Sequence, residues 1–168
     1  MEEEWHRFEE VREYVYYGRR LFRSSAPNYD DEGGDESQKL TPTAVQFLVE
    51  KGITGVVSFN TYTYTVSQIA MLENVGIVYR HLPVKDFTAP TEDQLKDAIE
   101  FFRSNPDGSV LMHCGYGYGR TGTGITAAQL FATWGDSPDE SEWETVNHVE
   151  TDEQRTVLRS LRAGFQRL

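Results

Sequence analysis

One run of this chain narrows its possible folds more than any other. Residues 110–134 read VLMHCGYGYGRTGTGITAAQLFATW. A short apolar stretch, Val110, Leu111 and Met112, ends at His113 and Cys114. Gly115, Tyr116, Gly117, Tyr118 and Gly119 follow, then Arg120 and Thr121, and the pattern turns helical from about Gly122. This predicts a strand, a tight loop and a helix, with Cys114 at the end of the strand.

The residue types in that loop point to anion chemistry. Alternating glycines permit positive φ and let the backbone approach a ligand with no Cβ in the way. A loop of this kind feeding a helix start gathers unpaired N–H groups around one point. Arg120 adds a planar, permanently charged fork that suits phosphate oxygens. A cysteine at a helix N-terminus beside an arginine is favoured as the thiolate. A thiolate at the floor of a phosphate cradle is a nucleophile aimed at phosphorus. The bland alternative, a structural cysteine after a core strand, leaves Arg120 and the glycines unexplained.

The stretch resembles the signature loop of the cysteine-dependent protein phosphatases, most closely the compact dual-specificity group. Seven positions of H-C-x-x-G-x-G-R-T-G are fixed here. At about one in twenty per position the chance match is on the order of 10⁻⁹ per window, so the signal is specific. The resemblance implies Cys114 as nucleophile, Arg120 and the loop residues Gly115, Tyr116, Gly117, Tyr118 and Gly119 as the phosphate seat, and no metal or other cofactor. It implies that Thr121 assists departure of the thiolate, though its hydroxyl could equally cap the helix. His113 is expected to orient the loop rather than move protons. Relatives that act on inositol lipids often carry lysines in this loop, and none is present here, which weakens that assignment.

The chain has 168 residues, a length that predicts a single phosphatase domain with an N-terminal extension at 1–12 and an acidic loop at 28–39. The net charge of −11 argues against general nucleic-acid binding or attachment to anionic membranes. A single cysteine excludes an internal disulfide framework and a cysteine-rich zinc site, and a free thiolate favours a reducing compartment. No apolar run approaches 18 residues, and the MEEE start is unlike a signal. The expectation is a soluble, cytoplasmic monomer. A secreted effector with a non-classical signal would look the same.

Taken in order, Trp5 and Phe8 are spaced for one helical face or for a clamp on the body. Residues 13–17 and 20–23 read as two strands of a hairpin around Gly18 and Arg19. The segment LFRSSAP at 21–27 is similar to the R-S-x-x-P stretch found in small phosphatases of this group. Residues 28–39 lack the apolar residues of a core and read as a solvated insertion, or as a flap that repels acidic substrates. Thr41 and Pro42 open a helix with Val45, Leu48 and Val49 as its apolar stripe, and Lys51-Gly52 close it. A buried strand over 53–59 leads to Tyr62 and Tyr64, which either line the site or are ordinary loop tyrosines. A helix over 66–74, a strand over 77–82 and a helix capped by Thr91 and Gln94 follow, then a turn at 105–108.

Strands alternating with helices predict an α/β fold, a central, mostly parallel sheet of about five strands flanked by helices. The resemblance makes it phosphotyrosine-phosphatase-like, ordered hairpin, cysteine strand, then the two earlier parallel strands. Asp86 lies in the loop after the second of these, followed by Pro90 and a helix, and resembles the family's general acid. An expelled alkoxide or phenolate needs a proton, and Asp86 would supply it, then draw one from the hydrolytic water. Glu92, Asp93 and Asp97 fall inside the next helix and are poorer candidates. Ser137 to Glu140 read as a capping box opening a helix to about Val149, and Thr151 starts the last helix. Gln154 resembles a glutamine placed near the hydrolytic water, but also fits the third position of a capping box. Arg155, Arg159 and Arg162 form a basic, solvated face.

The predicted function is hydrolysis of phosphomonoesters through a phosphocysteine intermediate, by a tyrosine or dual-specificity protein phosphatase. Its partner would be a phosphorylated protein or small phosphomonoester. Inositol phosphates and RNA 5′-phosphates are the alternative substrates. A phosphate-binding module without turnover is the alternative of another class.

Overall fold

The computed structural model describes residues 4–105 and 108–168. Five strands, β1 (Glu9–Val11), β2 (Arg20–Ser24), β3 (Gly55–Ser58), β4 (Val78–His81) and β5 (Ser109–His113), form one sheet in the order β1-β2-β5-β3-β4. β1 is antiparallel to β2, and the remaining neighbours are parallel. The α/β class and the strand order are as predicted. The helices are α1 (Pro42–Glu50), α2 (Val66–Asn74), α3 (Glu92–Ser104), α4 (Gly119–Ala132), α5 (Glu140–Thr145) and α6 (Asp152–Gln166).

The central strands are apolar because both of their faces are covered. Every residue of β3 and β5 is buried, whereas edge strand β4 alternates with solvent. The period of two then sorts the core. Val56 and Leu111 face α1 and α2 with Phe22, Phe47 and Leu48. Val57, Val110 and Met112 face Ile125 of α4 and Phe102 of α3. α6 closes a third cluster, in which Leu158 and Leu161 are 0% and 1% exposed; each contributes about 1.5–3 kcal/mol through burial. Capping threonines set the helix starts: Thr65, Thr91 and Thr151 each accept the third amide, and Gln68, Gln94 and Gln154 return the bond.

Several expectations are corrected. The strand read at 13–17 is not one. The partner of β2 is β1, with Glu9 opposite Arg23, and residues 12–19 form the connection. Tyr14 there has φ 57°, and the alternation that suggested a strand instead packs Val15 and Tyr16 onto the sheet. On α1, Phe47 takes the inward place expected for Val49, which is 40% exposed. α4 starts at Gly119 rather than Gly122, which takes the whole arginine into the helix. α5 is shorter than expected and is capped at Asp139, whose amide donates to Glu142. Arg159 and Arg162 do not make a free basic face; both pair with Glu140, and Arg155 pairs with Asp152. Of the turn expected at 105–108, Pro106 and Asp107 lie outside the described residues.

The N-terminal segment is a clamp, the second of the two forms anticipated. Trp5 is fully buried and donates its indole N–H to the Ala44 carbonyl at 3.1 Å. Its flanks are held by Ser25 N–H to the His6 carbonyl and Asn28 N–H to the Glu4 carbonyl. This strap crosses the end of β2, beside the cysteine loop.

Candidate active site

Cys114 leaves β5 at the sheet edge where β3 and β4 also end. The residue is 1% exposed, and its sulfur accepts two hydrogen bonds, from the Thr121 hydroxyl at 2.9 Å and the Gly117 amide at 3.2 Å. Thr121 reaches it because α4 begins two residues earlier and turns that side chain back over the loop. The Gly115, Tyr116 and Tyr118 amides take no partner among the described residues. The Gly119 amide donates to Glu150 Oε1 at 2.9 Å.

The loop is braced from below by β2 and the residues after it. Buried Arg23 donates to the Gly117 carbonyl at 3.0 Å and the Asn147 carbonyl at 2.8 Å. Ala26 N–H donates to the Gly115 carbonyl at 2.8 Å. These contacts supply the physical reason for the R-S-x-x-P stretch: its arginine and backbone hold two loop carbonyls away from the cradle. Gly117 adopts φ 106° and lies against the backbone of Ser24 and Ser25, so it is one position where glycine is required.

His113 is fully buried behind the loop. Its Nδ1 lies 2.8 Å from the Cys114 carbonyl and its Nε2 2.6 Å from the Tyr64 hydroxyl. Nδ1–H therefore donates and Nε2 accepts, which is the neutral ring. Burial pushes its pKa down to about 4. Tyr64 is thus a support behind the loop and not part of the pocket wall, while Tyr62 turns outward at 44% exposed.

This histidine gives a pH prediction. The unfolded chain takes up a proton below about pH 6.5, whereas the folded chain refuses it until about pH 4. Stability from this group is whole above pH 6.5 and is lost as pH falls towards 4, by about 3 kcal/mol in all. Urea unfolding of the wild type and of His113→Asn at several pH values should show a flatter profile for the variant across that window.

Arg120 is 2% exposed, and both of its Nη groups donate hydrogen bonds. Nη1 donates to the Val84 carbonyl at 2.9 Å and to Asp35 Oδ2 at 2.8 Å, and Nη2 donates to Asp35 Oδ1 at 2.9 Å. Asp86 Oδ1 lies 3.2 Å from Nη2, with its side chain 48% exposed. Phe87 has φ 64°, and its amide donates to the Asp86 carboxylate at 2.9 Å, a local strain that turns Asp86 towards the arginine. Burial works against the charge on Arg120, but Asp35, Cys114 and Asp86 together raise its pKa above the ordinary value.

Asp35 is the residue that sequence reasoning missed. Residues 28–39 were expected to be a solvated insertion or a flap near the site; the loop does reach the site, and it delivers a carboxylate, 9% exposed, directly onto Arg120. The Thr61 hydroxyl adds a bond to Oδ2 at 2.7 Å. Burial alone would raise the Asp35 pKa, but the bonds from Arg120 and Thr61 outweigh it and hold the carboxyl below its usual range. Asp35 is therefore ionised and a poor general acid. No local signal distinguishes it from its acidic neighbours.

Gln154 is fully buried. Its Oε1 accepts from the Glu150 and Thr151 amides at 2.9 and 3.1 Å, and its Nε2 donates to the Thr88 carbonyl at 3.1 Å. It caps α6 and ties that helix to the loop carrying Asp86 through one of the two Nε2 N–H groups. At the mouth, Tyr116 is 38% exposed, with the Arg7 guanidinium 3.7 Å above its ring. Tyr118 stacks on His148 at 4.1 Å.

Residues 33–134 match the family described as polymorphic toxin system, DSP-PTPase phosphatase. The chain belongs to this family of cysteine-based phosphatases. Among solved structures, the phosphatase is similar to Tk-PTP in its active form, at 29% identity over 76% of this chain and 89% of that one, with a TM-score of 0.60. It shares its fold with PTPMT1, at 15% identity, 95% and 97% coverage and a TM-score of 0.67. It also shares it with the core catalytic domain of the PP-IP phosphatase SIW14 from S. cerevisiae, at 18% identity, 90% and 83% coverage and a TM-score of 0.59. A search of the curated proteins finds no match. Among the described residues no helix is long and apolar enough to cross a membrane.

Proposed function

We propose that this phosphatase hydrolyses phosphomonoesters through a phosphocysteine at Cys114, acting on tyrosine- or serine/threonine-phosphorylated protein. The observation that carries the reading is the convergence of the Thr121 hydroxyl and the Gly117 amide on one sulfur. Both groups donate to Sγ, the atom that would attack. The sulfur attacks phosphorus and the ester oxygen leaves with a proton from Asp86. Arg120 and the unpartnered loop amides hold the equatorial oxygens, where charge spreads in the transition state. Water, deprotonated by Asp86, then cleaves the phosphorus–sulfur bond. Thr121 stabilises the departing thiolate. His113 and Gln154 position the loop and α6 without touching the reacting atoms.

A protein substrate is supported by the mouth. Tyr116 and Phe87 expose aromatic surface beside the seat, at 38% and 66% exposed, and the cysteine loop carries no lysine to neutralise further phosphates. Release of p-nitrophenol from its phosphate ester tests turnover, and a panel of phosphopeptides, inositol phosphates and 5′-phosphorylated RNA tests the substrate class. Phosphopeptide binding with no turnover at any pH would replace the enzyme by a binding module.

The acid assignment has its own test. Asp86→Asn should slow alkyl phosphates by roughly 10²–10³-fold, while esters of acidic phenols lose far less because their leaving group needs no proton. Equal losses for both would move the acid elsewhere.

A further inference from the structure

Four separate segments meet around a cavity of about 190 Å³ beside the cysteine loop: the N-terminal strap with Arg7 and Glu9, the end of β2 with Arg23, the loop itself with Tyr118, and His148 ahead of α6. The cavity lies outside the phosphate seat. Gly117 turns its amide to Cys114 Sγ and its carbonyl to Arg23, so the loop backbone separates the two spaces.

Both arginines hold carbonyls of the cysteine loop and keep donors to spare. A guanidinium carries five N–H groups. Arg7 donates its Nε–H to the Tyr116 carbonyl at 2.7 Å, and neither of its Nη groups takes a hydrogen bond among the described residues. Arg23 donates one N–H from each Nη, to the Asn147 and Gly117 carbonyls. Its Nε takes no partner, yet it is not sealed in: among the described residues Asn60 Oδ1 is the single buried side-chain atom left without one.

The charge around this space is positive. Neither arginine has an ion-pair partner among the described residues, and a buried cation without one is costly. Burial lowers the Arg23 pKa, and Glu9, Cys114 and Tyr118 offset that only in part. Burial also lowers the pKa of His148; the Arg23 charge adds to the fall, and Glu9 opposes it. Arg7 and His148 adopt left-handed backbone, with φ 57° and 65°, a conformation uncommon for such residues, and both bring a basic side chain to the same cavity. A second cavity that Arg23 lines, of about 300 Å³, is walled by Glu9, Glu10, Glu13 and Glu142, which repel an anion there.

We propose that the cavity between the strap and the cysteine loop is a second oxyanion site, where Arg7 and Arg23 hold a phosphate, sulfate or carboxylate group and Tyr118 and His148 form the walls. The site stands independently of turnover at Cys114. A merely structural role for the two arginines makes a different forecast, with no saturable anion binding outside the seat.

The test uses sulfate with the full chain, labelled with ¹⁵N, at constant ionic strength and with vanadate added to fill the seat. The Nε–H resonances of Arg7 and Arg23 and the Tyr118 amide should move along one saturation curve. Arg7→Met should weaken that binding by roughly tenfold or more, because it removes charge-assisted bonds. Glu9→Gln should tighten it by about threefold, because it removes the carboxylate of the cavity. Absence of saturation, its abolition by vanadate, or equal affinity in both variants overturns the site. Failure of vanadate to bind would remove the seat and leave the sulfate curve readable. A pair of phosphopeptides, one with a second phosphate or an acidic residue beside the phosphorylated position and one with alanine there, identifies the source of the anion, and this arm alone rests on the proposed function. A KM about tenfold lower for the acidic peptide, lost in Arg7→Met, assigns the site to substrate; sulfate saturation without that preference assigns it to a free anion.

Discussion

Cys114→Ser is expected to lower kcat by roughly 10⁴-fold or more while inorganic phosphate still binds. The hydroxyl that replaces the thiol has no base beside it. The groups that meet the sulfur are donors, the Thr121 hydroxyl and the Gly117 amide. They would stabilise negative charge on the sulfur in the proposed mechanism, but they cannot remove a proton. A serine would therefore stay neutral in a site shaped for an anion, and the phosphoryl group would have no nucleophile. The loop amides and Arg120 remain, so calorimetry should report phosphate affinity at or above that of the wild type. Loss of turnover together with loss of binding would indicate a collapsed loop, and turnover near the wild-type level would refute the nucleophile.

Gly117→Ala should have the next largest effect, through the loop's shape. At φ 106° a side chain is strained, and an added Cβ would lie 2.8 Å from the Ser25 nitrogen, 2.9 Å from the Ser24 carbonyl carbon and 3.0 Å from its oxygen. These are backbone atoms at the end of β2, so the loop must move instead. Its amide then leaves Cys114 Sγ, and its carbonyl leaves Arg23, which keeps only the Asn147 carbonyl as partner for a buried cation. The expected outcome is a fall of roughly 10²–10³-fold in kcat/KM and a loss of about 2–4 kcal/mol in unfolding free energy. Gly164→Ala is the control, since its added Cβ would meet nothing nearer than Arg167 Nη2 at 4.0 Å and should leave both quantities near wild type. Turnover and urea unfolding on the same preparations check the pair.

The mouth and the back of the site follow different rules. Behind the loop, Trp5, Tyr64 and His113 form a packed block, with Trp5 and Tyr64 rings each 5.8 Å from the imidazole. In front, the partners are charged and come from three separate segments: Asp35, Asp86 and Arg120. Residues packed by burial were partly visible in the chain as apolar positions. Residues joined by charge were not, because a chain of net charge −11 offers many carboxylates and little in their immediate sequence separates one from another.

What the chain alone determined was everything governed by short-range rules. The H-C-x-x-G-x-G-R-T-G run, the capping threonines with their returning glutamines, and the alternation of apolar strand and helix periods were sufficient for the α/β class, the strand order through the resemblance, and the family. Each depends on residues within a few positions of one another, where backbone geometry restricts the choice. Tertiary structure alone decided that residues 9–11 rather than 13–17 pair with β2, that Tyr64 supports His113 and that Asp35 lies on Arg120 across 85 positions of chain. Those outcomes depend on loop closure and on competition among similar side chains for one partner, and a local pattern carries no record of which competitor prevails.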